Sequence, residues 1–174
     1  MSGVTVRELR DIEVRAFGEL CDVLIDCVEG GASVSFMWPM TRVKAARFWG
    51  SVAEGLARGD RSLIVAEDDK GRIIGTAQVV WADPENQPHR ADVAKMLVHR
   101  RARRLGVGAA LLAAAEQAAL AAGRTLLVLD TASGDAERLY ERGGWQRVGT
   151  IPRYALLPDG PSCNTVVFYK DLAT

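Results

Sequence analysis

Hydrophobic positions along this chain alternate in some segments, recur at helical spacing in others, and run unbroken in a third group. Val4 to Leu9 alternates weakly and predicts a first strand. From Asp11 to Cys27 the residues Ile12, Phe17, Leu20 and Leu24, with Val28 just beyond, recur at helical spacing. Thr41 is a plausible N-cap for a second helix to about Arg58, where Gly59 stops it. The stretch between, Glu29 to Met40, reads as a loop, with Gly30-Gly31 at its start and Trp38-Pro39 near its end.

Ser62 to Glu67 and Ile73 to Trp81 are apolar strand-like runs joined by a hairpin turn, Asp68-Asp-Lys-Gly71. Asp83 to Pro88 is a second turn region, and Arg90 to Val98 is the next strand. Gly106 to Ala122 is an alanine-rich helix ended by Gly123. Thr125 to Asp130 reads as a buried strand and Asp135 to Arg142 as a short helix stopped by Gly143-Gly144. Trp145 to Ile151 and Thr165 to Lys170 close the chain as strands. The order β-α-α-β-β-β-α-β-α-β-β predicts an α/β (α+β) fold. With no internal repeat or domain-scale linker, residues 1–174 are expected to form a single domain.

Composition narrows the partners. A chain of 174 residues, 48% hydrophobic and 25% charged, is ordinary for a soluble protein with a substantial core. Lys+Arg and Asp+Glu balance at 22 each, which argues against nucleic acid or an anionic membrane as partner. The cluster Arg100, Arg101, Arg103 and Arg104 is therefore a local feature of a site. No run approaches the roughly 18 apolar residues of a membrane span, and the start lacks a basic-then-apolar secretion pattern. A cytoplasmic location is the expectation. Cys21, Cys27 and Cys163 show no metal-ligand spacing, and Cys21 and Cys27 read as small buried hydrophobes. With only His89 and His99 besides, no metal site is expected.

The segment with most chemistry is Val98 to Leu112, where a strand passes through a basic loop, Arg103-x-x-Gly106-x-Gly108, into the alanine-rich helix. A helix start presents unpaired N–H groups and a positive dipole end. Glycines admit a ligand close to the backbone, and arginines add charge-assisted donors. Together they read as a cradle for the phosphates of a cofactor. A P-loop would need Gly-x-x-x-x-Gly-Lys-Ser/Thr, which the chain lacks. A dinucleotide fingerprint would need a third glycine where Leu111 stands, and an early position in the chain.

Arg103-x-x-Gly106-x-Gly108 resembles the pyrophosphate loop of the GCN5-related N-acetyltransferases, the GNAT family. A second motif, Ala136-Glu-Arg-Leu-Tyr140-Glu-Arg-Gly-Gly-Trp145, resembles that family's later Ala-x-x-Leu-Tyr-x-x-x-Gly-Phe segment. Further stretches are similar to the tabtoxin-resistance acetyltransferases within the family. They are Gly30 to Met37, Arg90 to Val93, Leu129-Asp130-Thr131, Pro158-Asp159-Gly160 and Phe168 to Leu172. The resemblance implies a GNAT fold, with a mixed, mostly antiparallel sheet of six to seven strands flanked by about four helices. It also implies acetyl-CoA as cofactor, bound by the backbone of Met96, Leu97 and Val98 along its pantetheine arm. Arg103, Arg104, Leu105, Gly106, Val107, Gly108 and Ala109 would face its pyrophosphate. Arg104 stands where the family usually has glycine, Arg100 where proline is frequent, and Ser133 where many members have an asparagine toward the cofactor.

The implied reaction moves an acetyl group from a thioester to an amine. A lysine-like amine, with a pKa of about 10.4 in water, must first lose a proton. Asp92 is the first candidate base; the alternative is a carboxylate salt-bridged to Arg90. Strand alternation would put Asp92, Ala94, Met96 and Val98 on one face. Asp130, ending a buried strand, is the second candidate, and either carboxylate could hold the substrate ammonium instead. Tyr140 is the candidate acid; its alternative is a core tyrosine. The expected oxyanion donor is a main-chain N–H between Met96 and Val98. Ser33, Ser35, Phe36 and Trp38, with Trp81 as a wall, are the candidate acceptor-binding residues, the alternative being loop anchoring. The expected acceptor is a small-molecule amine, amino-acid-like, such as a toxin or antibiotic. Acetylation of a protein or peptide, and a CoA-binding sensor without turnover, are the alternatives. A homodimer is left open by the sequence.

Overall fold

The computed structural model describes residues 3–173, so residues 1, 2 and 174 of the expected domain lie outside the described ones. The elements are β1 (Thr5–Leu9), α1 (Val14–Glu29), α2 (Arg42–Arg58), β2 (Arg61–Glu67), β3 (Ile73–Trp81) and β4 (Arg90–Val98). After a 3-10 turn at Arg100–Ala102 come α3 (Val107–Ala121), β5 (Leu126–Thr131), α4 (Gly134–Arg142), β6 (Gln146–Leu156) and β7 (Ser162–Asp171). One seven-stranded sheet runs in the order β1-β2-β3-β4-β5-β7-β6. Every pairing in it is antiparallel except β4 with β5. The element order and the mixed sheet are as expected.

Local chemistry accounts for most boundaries. Thr41 Oγ1 accepts from Lys44 N at 3.2 Å and caps α2, which ends at Gly59 in the left-handed region with φ 74°. One apolar layer lies between the sheet and α1/α2, with Leu20, Leu24, Trp49, Leu63 and Val65 fully buried. The other lies under α3 and α4, with Ala115, Ala119, Leu127 and Phe168 fully buried. Cys21 and Cys27 are buried, and burial pushes the Cys27 thiol up to about 11.

β6 departs from expectation. The strand was expected over Trp145 to Ile151, and the next residue, Pro152, cannot donate to a sheet ladder. It continues to Leu156 instead. β6 is the outermost strand, where a missing donor is tolerated. Its register shifts between Ile151 and Ala155, with Arg153 at φ 53°.

The alanine-rich α3 sits low on the sheet over Gly75. A Cβ there would meet Leu97 O at 2.9 Å, Leu111 Cδ1 at 3.0 Å and Val107 Cγ1 at 3.1 Å. Gly75→Ala is therefore expected to lift the start of α3 at a cost of about 1–3 kcal/mol. In thermal unfolding this lowers Tm by about 2–10 °C. An unchanged Tm would show that the helix is not pressed onto the strand at this point.

Candidate active site

A cleft opens where two neighbouring strands part. β4 and β5 pair only over Arg90–Asp92 and Leu126–Val128, and beyond Asp92 the edge of β4 has no strand beside it. A bulge interrupts its pairing to β3: Gln78 faces Ala94, but Thr76 faces Leu97. The extra residue, Lys95, adopts φ 50°, and its carbonyl accepts from Thr76 Oγ1 at 3.0 Å.

This bulge corrects the expected alternation. Asp92 and Ala94 stay on one face, while Met96 and Val98 turn to pack against the core under α3, and Leu97 joins the core under α1 and α2. An inserted residue swaps the faces of everything after it. Met96, Leu97 and Val98 thus lie at the open edge of the cleft, past the point where β5 leaves.

The basic loop is built as a cradle. Arg104 and Gly106 both adopt left-handed conformations, φ 63° and 78°, and such alternation gathers successive N–H groups into one concavity. Among the described residues, the amides from Arg104 through Gly108 to Ala109 donate to no protein acceptor; the first one paired thereafter is Ala110 N, to Gly106 O at 3.1 Å. The left-handed turn at Arg104 explains why glycine suits that position. A side chain there costs about 1–2 kcal/mol, and here it adds a guanidinium beside the free amides. Arg103 lies near Cys27 and, with Leu105 and Ala109, is exposed. Val107 and Gly108 face inward, Gly108 toward Leu139 of α4.

Arg100 does not join the cradle. Its backbone N–H and Nε donate to the Asp26 carboxylate at 2.8 and 2.9 Å, tying the loop to the end of α1. Burial raises the Asp26 pKa, but these hydrogen bonds and the charges of His99 and Arg100 outweigh it and hold the carboxyl below its ordinary value.

Two cavities line the cleft. The first, about 300 Å³, is formed by Ser33, Ser35, Phe36 and Met37 on one side and by Asp130, Thr131, Tyr154, Asn164 and Thr165 on the other. The second, about 230 Å³, lies along the parting strands and includes Asp92, Ala94, Val128, Asp130 and Tyr154. Asp130 borders both. Thr165 Oγ1 donates to its Oδ2 at 2.7 Å, leaving Oδ1 without a donor among the described residues. Asp92 Oδ1 is held by Arg90 Nη1 at 2.6 Å, the salt bridge that was its alternative reading, although it still borders the cleft.

Tyr140 is buried against Trp145 and Phe168, with ring centroids 5.9 and 5.7 Å away. Burial, and secondarily the charge of Asp130, pushes its phenol up to about 12. Its hydroxyl makes no hydrogen bond among the described residues. Ser133 Oγ accepts from Ala136 N at 3.4 Å and caps α4, so its oxygen is engaged while its proton remains free to donate.

The acceptor-side expectations divide. Ser33 and Ser35 border the larger cavity, and Phe36 both borders it and packs edge-on against Phe48 at 5.4 Å. Trp38, a candidate acceptor contact, borders neither cavity and takes the alternative, loop anchoring: its indole Nε1 donates to Val28 O at 2.9 Å, and Met37 stands at the cavity. Trp81 is not brought to the cleft. It packs on the α3 face, with Nε1 donating to Gly59 O at 3.0 Å and Arg124 stacked 5.2 Å from the ring. Strand parity, counted from Asp92 through the pair Val80–Asp92, sends Trp81 to the opposite face.

Residues not anticipated include Tyr154, Asn164, Thr165 and, above all, Lys95. Lys95 Nζ donates to Ser35 Oγ at 3.1 Å and lies 5.8 Å from the Phe48 ring centroid. Burial lowers its pKa, and Asp130 partly offsets that.

The acetyltransferase (GNAT) domain family matches residues 59–147. An uncharacterized N-acetyltransferase from the hisH-hisA intergenic region of Azospirillum brasilense is 33% identical over 132 residues, 75% of this chain and 76% of that protein. A phosphinothricin acetyltransferase from Sinorhizobium meliloti, solved with AcCoA, superposes with a TM-score of 0.79 at 18% identity, over 97% of this chain and 88% of that one. A ribosomal-protein-alanine N-acetyltransferase from Brucella melitensis gives 0.78 at 22%, over 97% of this chain and 99% of that one. The two solved structures share the fold and carry the names of different acceptors, so the acceptor must be sought in the cleft itself.

Proposed function

The chain belongs to the GNAT family of acetyl-CoA-dependent N-acetyltransferases, and we propose that its acceptor is the primary amine of a small, amino-acid-like molecule such as a toxin or antibiotic. The observation that carries this is the roof over the 300 Å³ cavity. The loop between α1 and α2 is fastened to the β6–β7 hairpin, with Trp38 N donating to Pro158 O at 2.9 Å and Ser33 Oγ to Leu156 O at 3.3 Å. An extended peptide would need that seam open. A volume near 300 Å³ is at the small end of ligand pockets. The likeness of Gly30–Met37 and Leu129–Thr131 to the tabtoxin-resistance acetyltransferases falls on this cavity and supports the same reading. Among the described residues no helix is long and apolar enough to cross a membrane.

The free amides from Arg104 to Ala109 fit a diphosphate. In this proposal they hold it, with Arg103 and Arg104 supplying charge and the backbone of Met96 to Val98 lying along the pantetheine arm. Ser133 contributes its free proton at the mouth. Bound acetyl-CoA supplies an acetyl thioester, whose sulfur leaves as a thiol. Asp130 is the better placed of the two carboxylates to receive the amine and its proton, because one oxygen is free and the other is steadied by Thr165. Asp92, held by Arg90, keeps a negative charge along the path of the amine. A main-chain N–H at the bulge, between Met96 and Val98, is the oxyanion donor. Tyr140 Oη holds the proton for the leaving sulfur.

Thiol release from acetyl-CoA over a panel of free amines and short peptides tests this. Small amines are expected to support release and peptides not. Faster release with peptide N-termini or lysine side chains would overturn the acceptor assignment. Cofactor binding without release on any amine would make the chain a sensor.

A further inference from the structure

We propose that Lys95 and Ser35 form an oxyanion-binding subsite of the acceptor pocket, so that the acceptor is an amine that also bears a carboxylate or a similar anionic group. This rests on the acetyl-transfer reading of the cleft and adds the feature that selects the acceptor.

The argument starts from what Lys95 lacks. Its side chain leaves the β4 bulge toward α2 and the α1–α2 loop, where its only hydrogen-bond acceptor among the described residues is the Ser35 hydroxyl at 3.1 Å. No carboxylate among the described residues lies within ion-pair distance of it. An ammonium has three donors, so two are unspent. The position is half-buried, with the face of the Phe48 ring 5.8 Å from Nζ, and burial works against the charge. A half-buried cation with no ion-pair contact, offset only in part by the more distant Asp130, is stabilised when an anion arrives.

The backbone at both partners is held in the left-handed region, φ 50° at Lys95 and 78° at Ser35. Such strain persists where the surroundings demand the geometry, and it collects at ligand sites. Ser35 and its neighbour Phe36 are cavity wall, and Asp130 lies across the same cavity. Lys95 itself lines neither cavity; it stands behind Ser35, whose hydroxyl it bonds, so the wall offers a hydroxyl backed by a cation at one side and the Asp130 carboxylate at the other. That pattern complements a zwitterion: its anionic group toward Lys95, its amine toward Asp130 and the parting strands. A neutral amine would leave the Lys95 charge uncompensated, which supplies the discrimination.

The test compares acceptors in matched pairs. Amino acids, their carboxamides and the corresponding aminophosphonic acids are assayed by thiol release, and the same compounds are titrated calorimetrically into the protein. Wild type is expected to favour each anionic acceptor over its carboxamide by about 10- to 100-fold in kcat/KM, the range for a hydrogen bond to a charged group. Lys95→Met should bring that ratio close to one through KM, and Lys95→Arg should restore part of it. Carboxylate against phosphonate then tells which oxyanion fits. If Lys95→Met fails to fold, Ser35→Gly, which suits φ 78°, carries the test with a several-fold loss of the same ratio. A wild type indifferent to the anion, or a ratio unchanged in Lys95→Met, overturns the subsite and leaves the acetyltransferase standing. If no amine releases thiol, the acceptor reading fails, and the heats with anion against carboxamide still decide the role of Lys95.

Discussion

Replacing Tyr140 by phenylalanine is expected to lower kcat by about 10²-fold or more, the range for loss of a general acid, with acetyl-CoA affinity within a few-fold of wild type. The separation follows from how the ring is held. Its contacts with Trp145 and Phe168 are those of the aromatic face and survive the substitution. Among the described residues the hydroxyl has no hydrogen-bond partner to orphan, so stability should change little or rise slightly. What is lost is a proton at Oη. With the phenol pushed up to about 12 by burial and by Asp130, that proton is present throughout the neutral and alkaline range, so Tyr140 should add no descending limb to kcat below about pH 11. Steady-state thiol release against pH, with calorimetry for the cofactor, reads both quantities. If affinity collapses while turnover per bound cofactor holds, Tyr140 is a packing residue.

What could be anticipated from the chain, and what could not, divides along range. The caps at Thr41 and Gly59, the β3 and β4 boundaries and the helix after Gly106 were legible because each is decided by neighbours a few residues away. The strand through Pro152 was not, since only its place at the sheet edge makes that proline harmless. The bulge at Lys95 was the costlier miss. No glycine or proline in Ala94-Lys-Met-Leu marks an extra residue, yet it reverses the faces of Met96, Leu97 and Val98 and delivers Lys95 to Ser35. The one available signal was that strict alternation would put Lys95 on the buried face of Ala91, Val93 and Leu97, where a lysine is rarely accommodated. Trp38 and Trp81 misled in the opposite sense. Large aromatics suggest a pocket wall, but each of these spends its indole N–H on a carbonyl that closes a helix end or turn. Asp130 at the end of β5 and Tyr140 on α4 come close enough for the charge of one to bear on the other, a long-range arrangement that periodicity did not supply.

The cradle admits a sharper experiment than removing an arginine. Ala109 is exposed and is the third residue of α3 after its cap at Gly106. A glutamate at that position reaches back toward the cap N–H in a capping box, and its charge suits the positive end of the helix, by about 0.3–1 kcal/mol. Ala109→Glu is thus expected to leave Tm unchanged or raise it slightly. For the ligand the effect reverses. The new carboxylate would sit among the free amides from Arg104 to Ala109, occupy one or two of them and repel a diphosphate. Charged hydrogen bonds contribute about 1.5–3 kcal/mol each, so the loss of two with added repulsion should raise the Kd for CoA by about 100-fold or more. Ala109→Gln, which can make the same backward bond without the charge, should give a smaller loss, and the difference between the two measures the charge itself. Stability preserved and affinity lost, in one protein, is a combination that a merely structural loop would not produce. Should calorimetry give Ala109→Glu the affinity of wild type, the diphosphate does not rest on this turn, and the placement of every residue along the cleft would have to be redrawn from another anchor.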